Sequence, residues 1–220
     1  CAQHRGAVAG VPVSAMNTLP IPHLAVVLAA GGSRRLGRSK QLLLRDGETL
    51  VHRAVRMALA TQPARVFLIV GGNVDAVRAA VADLDVEVVF NAAWEEGLAS
   101  SVRAAAVALA GSQARCLLLG CDQPALQMSH LRALLEGASV SDSACAATVH
   151  GDALGIPVVV TTSVLAEARE LVGDRGLRAV LQRLPRESIH LLDASELRFD
   201  LDTPADVQTA IERGWLDRQD

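Results

Sequence analysis

Four cations, Arg34, Arg35, Arg38 and Lys40, crowd into the stretch LAVVLAAGGSRRLGRSK from Leu24 to Lys40. With glycine and serine between them they suit one chemistry, the gripping of phosphate. Leu24, Val26, Val27 and Leu28 form an apolar run of strand length with β-branched members. Ala29, Ala30, Gly31 and Gly32 then leave main-chain amides uncovered, so that a phosphate can come close enough to accept from successive N–H groups. Lys40 is the one lysine among 21 cationic residues. A compact ammonium is not interchangeable with a planar guanidinium, which points to a point charge at this position.

Two acidic positions could complete such a site. Asp122 follows the apolar run Cys116 to Leu119, where a carboxylate is costly unless it meets a cation or a metal, and Pro124 stiffens the turn behind it. Asp200 and Asp202 share one side of an extended segment, Asp200-Leu201-Asp202-Thr203-Pro204. Turn and helix capping would account for each acid taken singly. Taken together, Asp122 with Asp200 or Asp202 is an oxygen-rich pair suited to Mg²⁺, which binds few protein carboxylates and fills its shell from phosphate and water.

Two further clusters are candidates. Asn91, Trp94, Gly97, Ser100 and Ser101 follow an apolar run; Asn91 could hydrogen-bond a base or ribose edge, while the serines could equally cap a helix. Gly173-Asp174-Arg175-Gly176 with Arg178 is the other, and by itself reads as an interhelical loop.

The loop does not fit the common nucleotide motifs. Gly31, Gly32 and Gly37 have the wrong spacing for G-x-G-x-x-G. Gly32, Gly37, Arg38 and Ser39 come nearer to a P-loop, with arginine where lysine is required. A P-loop opens straight into a helix, however, and here the turn signal Asp46-Gly47 intervenes before a helical pattern begins at Glu48.

These residues must be positioned by what surrounds them. Helical spacing covers Glu48 to Ala60, a segment from the possible cap Asn73 to Asp83, Leu98 to Ala110 and Ser129 to Leu135. It returns from a cap at Ser163 to Leu171, over Leu177 to Leu184 and from Pro204 to Arg213. Apolar strands fall at Arg65 to Val70, Val86 to Phe90, Ala114 to Leu119, Ala144 to Val149, Ile156 to Val160 and Ile189 to Leu192. Alternation of this kind predicts an α/β, Rossmann-like three-layer sandwich with a mostly parallel sheet. In the second half, Gly151-Asp152 is too short for a helical crossover and predicts an antiparallel hairpin. Ligands of such sheets gather outside the carboxyl ends of the strands, where the glycine loop, Gly71-Gly72, Asn91 and Asp122 all fall.

Composition narrows the function. Half of the 220 residues are hydrophobic and the net charge is -3, as expected of a globular chain without a nucleic-acid partner, and five aromatic residues offer little for base stacking. No apolar stretch approaches the ~20 residues of a membrane span. Cys1, Cys116, Cys121 and Cys145 lack metal-ligand spacing and read as free thiols of a reducing, cytoplasmic compartment. Gly10 and Pro12 break the apolar stretch Ala7 to Val13, which excludes a signal peptide. Residues 1–20 are read as a disordered or upstream-encoded extension ending near a start at Met16, and 21–220 as a single domain.

In order along the chain, Leu28-Ala29-Ala30-Gly31 with Ser33, Arg35, Gly37 and Lys40, then N-x-x-W-x-x-G-x-x-S-S from Asn91, D-Q-P at Asp122, G-x-P at Gly155, G-D-x-G-x-R at Gly173 and D-x-D-T-P-x-D at Asp200 resemble the molybdenum cofactor nucleotidyltransferases. Leu36 stands where that family usually carries methionine. L-A-A-G with D-Q-P looks more like the cytidylyltransferase branch than the guanylyltransferase branch. The resemblance implies an enzyme that moves CMP from CTP to the terminal phosphate of molybdopterin and releases pyrophosphate.

By that resemblance Arg35, Lys40 and the amides of Gly31, Gly32 and Ser33 hold the β- and γ-phosphates, and Mg²⁺ on Asp122 and Asp202 bridges the α-phosphate. The base would lie against Leu28, Ala29, Ala30, Gly71 and Gly72 with Asn91 and Ser101 near, and Asp174, Arg175 and Arg178 would meet the acceptor. A molybdoenzyme apoprotein is an implied partner. Open alternatives are transfer of a guanylyl group, cytidylyl transfer to a sugar or polyol phosphate, and a non-catalytic nucleotide-binding accessory protein. Retention of Lys40, Asp122 and Asp202 together argues against the last.

Overall fold

The computed structural model describes residues 22–218; the extension read at residues 1–20, with Cys1, lies outside the described residues. Strand β1 (His23–Ala29) is buried along its whole length, and its partners are also apolar. β4 (Val66–Val70) and β6 (Arg115–Gly120) flank it in parallel. A strand covered on both faces has no polar side to show, which is why these runs are continuous rather than alternating.

Before β4 come a short antiparallel ribbon, β2 (Leu44–Arg45) with β3 (Glu48–Thr49), and helix α1 (Leu50–Ala60). The expected turn at Asp46-Gly47 joins the ribbon, with both residues at positive φ. The helix therefore starts at Leu50 rather than Glu48, capped by the Thr49 hydroxyl, which accepts from the His52 N–H.

After β4, α2 (Val74–Ala79) leads to the edge strand β5 (Glu87–Phe90), and α3 (Leu98–Ala108) leads to β6. α2 is shorter than the expected segment to Asp83. Asn73 makes no side-chain cap, and beyond Ala79 the bonds Val81 N–H to Arg78 and Leu84 N–H to Val81 tighten the chain into turns.

α4 (Met128–Val140) extends past the expected end at Leu135. It continues through Gly137, a poor helix former, because the ring of His190 lies where a Cβ would stand. β7 (Ala146–His150) and β8 (Ala153–Thr161) make the expected antiparallel hairpin.

α5 (Thr162–Ala166) is capped by Thr161, whose hydroxyl accepts from Val164, rather than by Ser163. Its continuation toward Leu171 is a 3-10 turn, Glu167–Glu170. α6 (Arg178–Leu181) is a short stretch of the expected Leu177 to Leu184 segment, β9 (His190–Asp193) is the far edge strand, and α7 (Pro204–Glu212) closes the fold. Thr203 and Asp206 form a capping box at the start of α7, with Pro204 in its first turn.

The sheet has seven strands in the order β5-β4-β1-β6-β8-β7-β9. β8 runs antiparallel to both β6 and β7, and β9 is parallel to β7. Successive side chains of a strand alternate between faces. Leu24, Val26 and Leu28 pack with α3, α5 and α6, and Ala25, Val27 and Ala29 pack with α1, α2 and α4. The expected α/β architecture with helices on both faces is therefore present.

A third, smaller cluster matters for the site. Leu36 of the glycine loop, Leu201, and Val207 and Ala210 of α7 are buried together. This packing fastens the last helix, and the acids before it, to the loop after β1. Among the described residues no helix is long and apolar enough to cross a membrane.

Candidate functional site

The carboxyl ends of β1 and β6 lie side by side, Leu28 opposite Gly120. The chain leaving β1 is the glycine loop, and the chain leaving β6 carries Asp122. Between them opens a cleft of about 650 Å³, lined by Leu28 to Arg35, Lys40, Gln41, Trp94, Ser101, Gly120 to Gln123, Leu154 to Ile156, Asp174, Arg178 and Asp200 to Asp202, among others.

Lys40 is central to the polar half. Its Nζ lies 2.7 Å from Asp122 Oδ2 and 3.3 Å from Asp202 Oδ1. Arg35 reaches the other oxygen of Asp202 at 2.8 Å. Burial opposes the Lys40 charge, but the charge and hydrogen bond of Asp122 and the charge of Asp202 outweigh it and hold its pKa above the ordinary lysine value. Asp200 lines the same cleft and is exposed; desolvation first and then the charge of Asp122 raise its carboxyl above the usual carboxylate range.

Backbone fixes these acids relative to each other. The Leu201 N–H donates to the Asp122 carbonyl at 3.1 Å. Gly120 leaves room for the Asp122 carboxylate to fold back, since a Cβ there would lie 2.6 Å from Asp122 Oδ1. Arg45 donates to the Pro124 carbonyl and Arg53 to that of Leu126, so the segment after Asp122 is held from the α1 side.

Gln41, which the sequence reading passed over, and Gln123, the middle residue of D-Q-P, hold the loops in shape. Gln41 is 1% exposed; its amide donates to the carbonyls of Ala29 at 3.0 Å and Gly31 at 2.6 Å, and its oxygen accepts from Ser33 at 3.3 Å and Ser39 at 2.7 Å. A trans peptide points its C=O and N–H in opposite directions, so turning the Gly31 carbonyl to Gln41 turns the Gly32 N–H away from it. Gln123 donates to the carbonyls of Ile156 and Leu197 at 3.0 and 2.7 Å, joining the Asp122 turn to two other segments. The only hint of Gln41 in the sequence is a polar residue set between Lys40 and three leucines.

The remaining candidates divide by position. Leu28, Ala29, Ala30, Gly31, Gly32, Ser33, Arg35, Lys40, Ser101, Asp122, Asp174, Arg178 and Asp202 line the cleft, whereas Gly71, Gly72, Asn91 and Arg175 do not. Asn91 is buried with its amide donating to Ser100 at 2.8 Å and Ser101 at 3.2 Å, and its oxygen accepts from the Ala93 N–H. Its polar atoms order the start of α3. Gly71 and Gly72 make room for Trp94: a Cβ on Gly71 would lie 2.6 Å from Trp94 Cβ, and one on Gly72 3.0 Å from the indole ring. Arg34 stacks over that ring and pairs with Glu95 at 2.6 Å.

The donor set suits a hard divalent ion. Asp122 and Asp202 offer carboxylate oxygens that already converge on one positive centre, the Lys40 ammonium, and phosphate and water would supply the rest of an octahedral shell. Cys116, Cys121 and Cys145 are buried free thiols, as expected. Burial pushes the Cys116 and Cys121 thiols up to about 12, which leaves them inert.

A family model described as a MobA-like NTP transferase domain matches residues 25–188. Nicotine blue oxidoreductase of Paenarthrobacter nicotinovorans is 32% identical over 191 residues, covering 84% of this chain and 91% of that protein. The crystal structure of Rv0371c from Mycobacterium tuberculosis is 29% identical with a TM-score of 0.72, covering 88% of this chain and 100% of that one. A complex of Rv0371c with manganese is similar at a TM-score of 0.67 and 27% identity, over 86% of this chain and 97% of that one.

Proposed function

Since this chain belongs to the MobA-like NTP transferase family, we propose that it transfers CMP from CTP to the terminal phosphate of molybdopterin and releases pyrophosphate. The observation that carries the reading is the convergence of Lys40, Asp122 and Asp202 beside a glycine loop, at the carboxyl ends of adjacent parallel strands.

An oxygen of the acceptor phosphate attacks the α-phosphorus of CTP in line. The new P–O bond forms as the bond between the α-phosphorus and the bridging oxygen breaks, and that electron pair leaves with pyrophosphate. Such a reaction needs positioning and charge neutralisation more than covalent help. Arg35, Lys40 and the amides of Gly31 to Ser33 hold the β- and γ-phosphates and oppose the charge that builds on the leaving group. Asp122 and Asp202 would hold Mg²⁺, which supplies positive charge at the α-phosphate; the manganese complex of Rv0371c supports divalent-ion use in this family.

Leu28 to Ala30 and Ser101 form the wall for the cytidine, and Asp174 and Arg178 lie where the acceptor would enter. Gly71, Gly72 and Asn91 serve the same subsite from behind, by seating Trp94 and the serines of α3.

The name of the 32% identical relative supports a second reading, an oxidoreductase on the same domain. The paired acids and lysine favour group transfer, because moving a hydride does not call for cations and carboxylates gathered at one phosphate-sized point. Pyrophosphate release measured with CTP, GTP and ATP, each with molybdopterin, tests the proposal. Activity with CTP alone is expected; equal activity with all three removes the cytidylyl assignment, and no release with any removes molybdopterin as the acceptor.

A further inference from the structure

The cations that would grip the phosphates rest on the acids that would hold the metal. Lys40 bridges Asp122 and Asp202, and Arg35 takes the remaining oxygen of Asp202. These two cations and two carboxylates thus pair with one another inside the cleft. We infer that Lys40 is an internal counter-ion of the metal site: the cleft takes up a divalent ion and a triphosphate as one unit, through an exchange of partners, and binds the free ion only weakly.

The geometry makes the exchange necessary. The Lys40 side chain is 15% exposed and lies within hydrogen-bonding distance of both carboxylates, so a cation entering between them meets a charge of its own sign. A triphosphate alone meets a similar obstacle, because two of the three Lys40 donors are taken by Asp122 and Asp202, and those two carboxylates repel the phosphates. Arriving together, the ion takes the acids while the phosphates take Lys40 and Arg35. Every charge keeps an opposite partner. Arg34, in the same loop, stands apart from this set because its partner is Glu95.

The inference rests on the nucleotidyl-transfer reading for the identity of the anion, but its test is metal binding. Free Mn²⁺ is followed by its electron paramagnetic resonance signal during titration of the full chain, with and without a CTP analogue bearing a carbon bridge between the α- and β-phosphorus. In the wild type, the analogue is expected to tighten Mn²⁺ binding by about 10-fold or more, and by linkage Mn²⁺ tightens the analogue equally. Without nucleotide, Lys40→Met should bind Mn²⁺ about 10-fold more tightly than the wild type. Lys40→Arg, which keeps the charge, should bind it weakly again, and Arg34→Met should match the wild type within about twofold.

Equal nucleotide-free affinities for the wild type and Lys40→Met overturn the inference, as does an Arg34→Met gain as large as that of Lys40→Met. Far-UV circular dichroism of each variant confirms that folded protein is being compared. Should the metal pattern hold while the wild type releases no pyrophosphate from CTP and molybdopterin, the exchange stands and the transfer reading falls.

Discussion

The Leu201 N–H donates to the carbonyl of Asp122 across 3.1 Å, so main chain and not only side chains joins the acid after β6 to the acids before α7. Leu201 is also fully buried with Leu36. One residue therefore fixes the separation of Asp122 and Asp202 and ties both to the glycine loop.

From this follows a separation of activity from stability. Asp122→Asn and Asp202→Asn keep the backbone bond and the buried Leu201, and each is expected to lower kcat about 10²–10³-fold, the usual loss when one charge-stabilising group is removed. Steady-state pyrophosphate release and a thermal melt on the same samples check this. Loss of the cooperative melt would show that the acids hold the fold rather than the ligand.

The glycines of the rim divide into two kinds. A Cβ on Gly31 would find its nearest neighbour, Lys40 Cε, at 3.9 Å, so Gly31→Ala should melt like the wild type yet raise the KM for CTP about 10-fold by obstructing phosphate. A Cβ on Gly71 would lie 2.6 Å from both the Ala30 carbonyl oxygen and Trp94 Cβ, so Gly71→Ala should cost about 1–3 kcal/mol through overpacking. Urea denaturation of the two variants, with CTP kinetics, distinguishes steric conflict with substrate from conflict within the protein.

Gln41→Ala removes an amide that serves four groups of the glycine loop. Leaving buried carbonyls without donors costs about 1–3 kcal/mol, and a loop no longer held should bind triphosphate less well. The expected result is a lower denaturation midpoint with a KM for CTP raised more than kcat is lowered. Gln41→Glu, which keeps the accepting oxygen and loses the donor, should share the kinetic defect.

His52 bonds Glu48 at 2.5 Å and Asp83 at 3.2 Å, tying α1 to its surroundings. Burial opposes the imidazolium, but the hydrogen bonds to the two carboxylates outweigh it and raise the pKa above the ordinary value. A raised histidine stabilises the folded state below its unfolded pKa of about 6.5, and the contribution fades as pH climbs through the folded value. Glu48, held down to about 2 chiefly by the Arg56 hydrogen bond against an opposing burial effect, works in the other direction. Its contribution is complete above about 4.5 and is lost as pH falls toward 2. His52→Gln should therefore cost about 0.5–1 kcal/mol at pH 6, discounted for partial exposure, and less at pH 8.5; an equal loss at both values would refute the ionic role.

Much of the architecture could be read from local pattern. Continuous apolar runs of strand length and helices with 3.6-residue spacing are set by which faces must be buried, and the turn at Asp46-Gly47 and the cap before Pro204 are set by neighbouring residues alone. Some boundaries moved for local reasons, as at the Thr49 and Thr161 caps; at Gly137 distant packing intervened, the ring of His190 lying where a side chain would stand. Residue types also placed the glycine loop and Asp122 on the carboxyl rim, because parallel strands ending together bring their following loops together.

Which groups stand at the ends of the strands follows from local residue pattern, because periodicity and turn chemistry act over a few residues. Which of those groups meet was decided only by tertiary structure. Lys40 and Asp202 are 162 residues apart in sequence and 3.3 Å apart in space, brought there by the shared burial of Leu36, Leu201 and α7. The same packing spends Asn91 on two serines and Gly71 on a tryptophan, while Gln41 becomes the inner brace of the loop. A side chain's partner depends on whatever the rest of the chain folds against it, and no local rule carries that information.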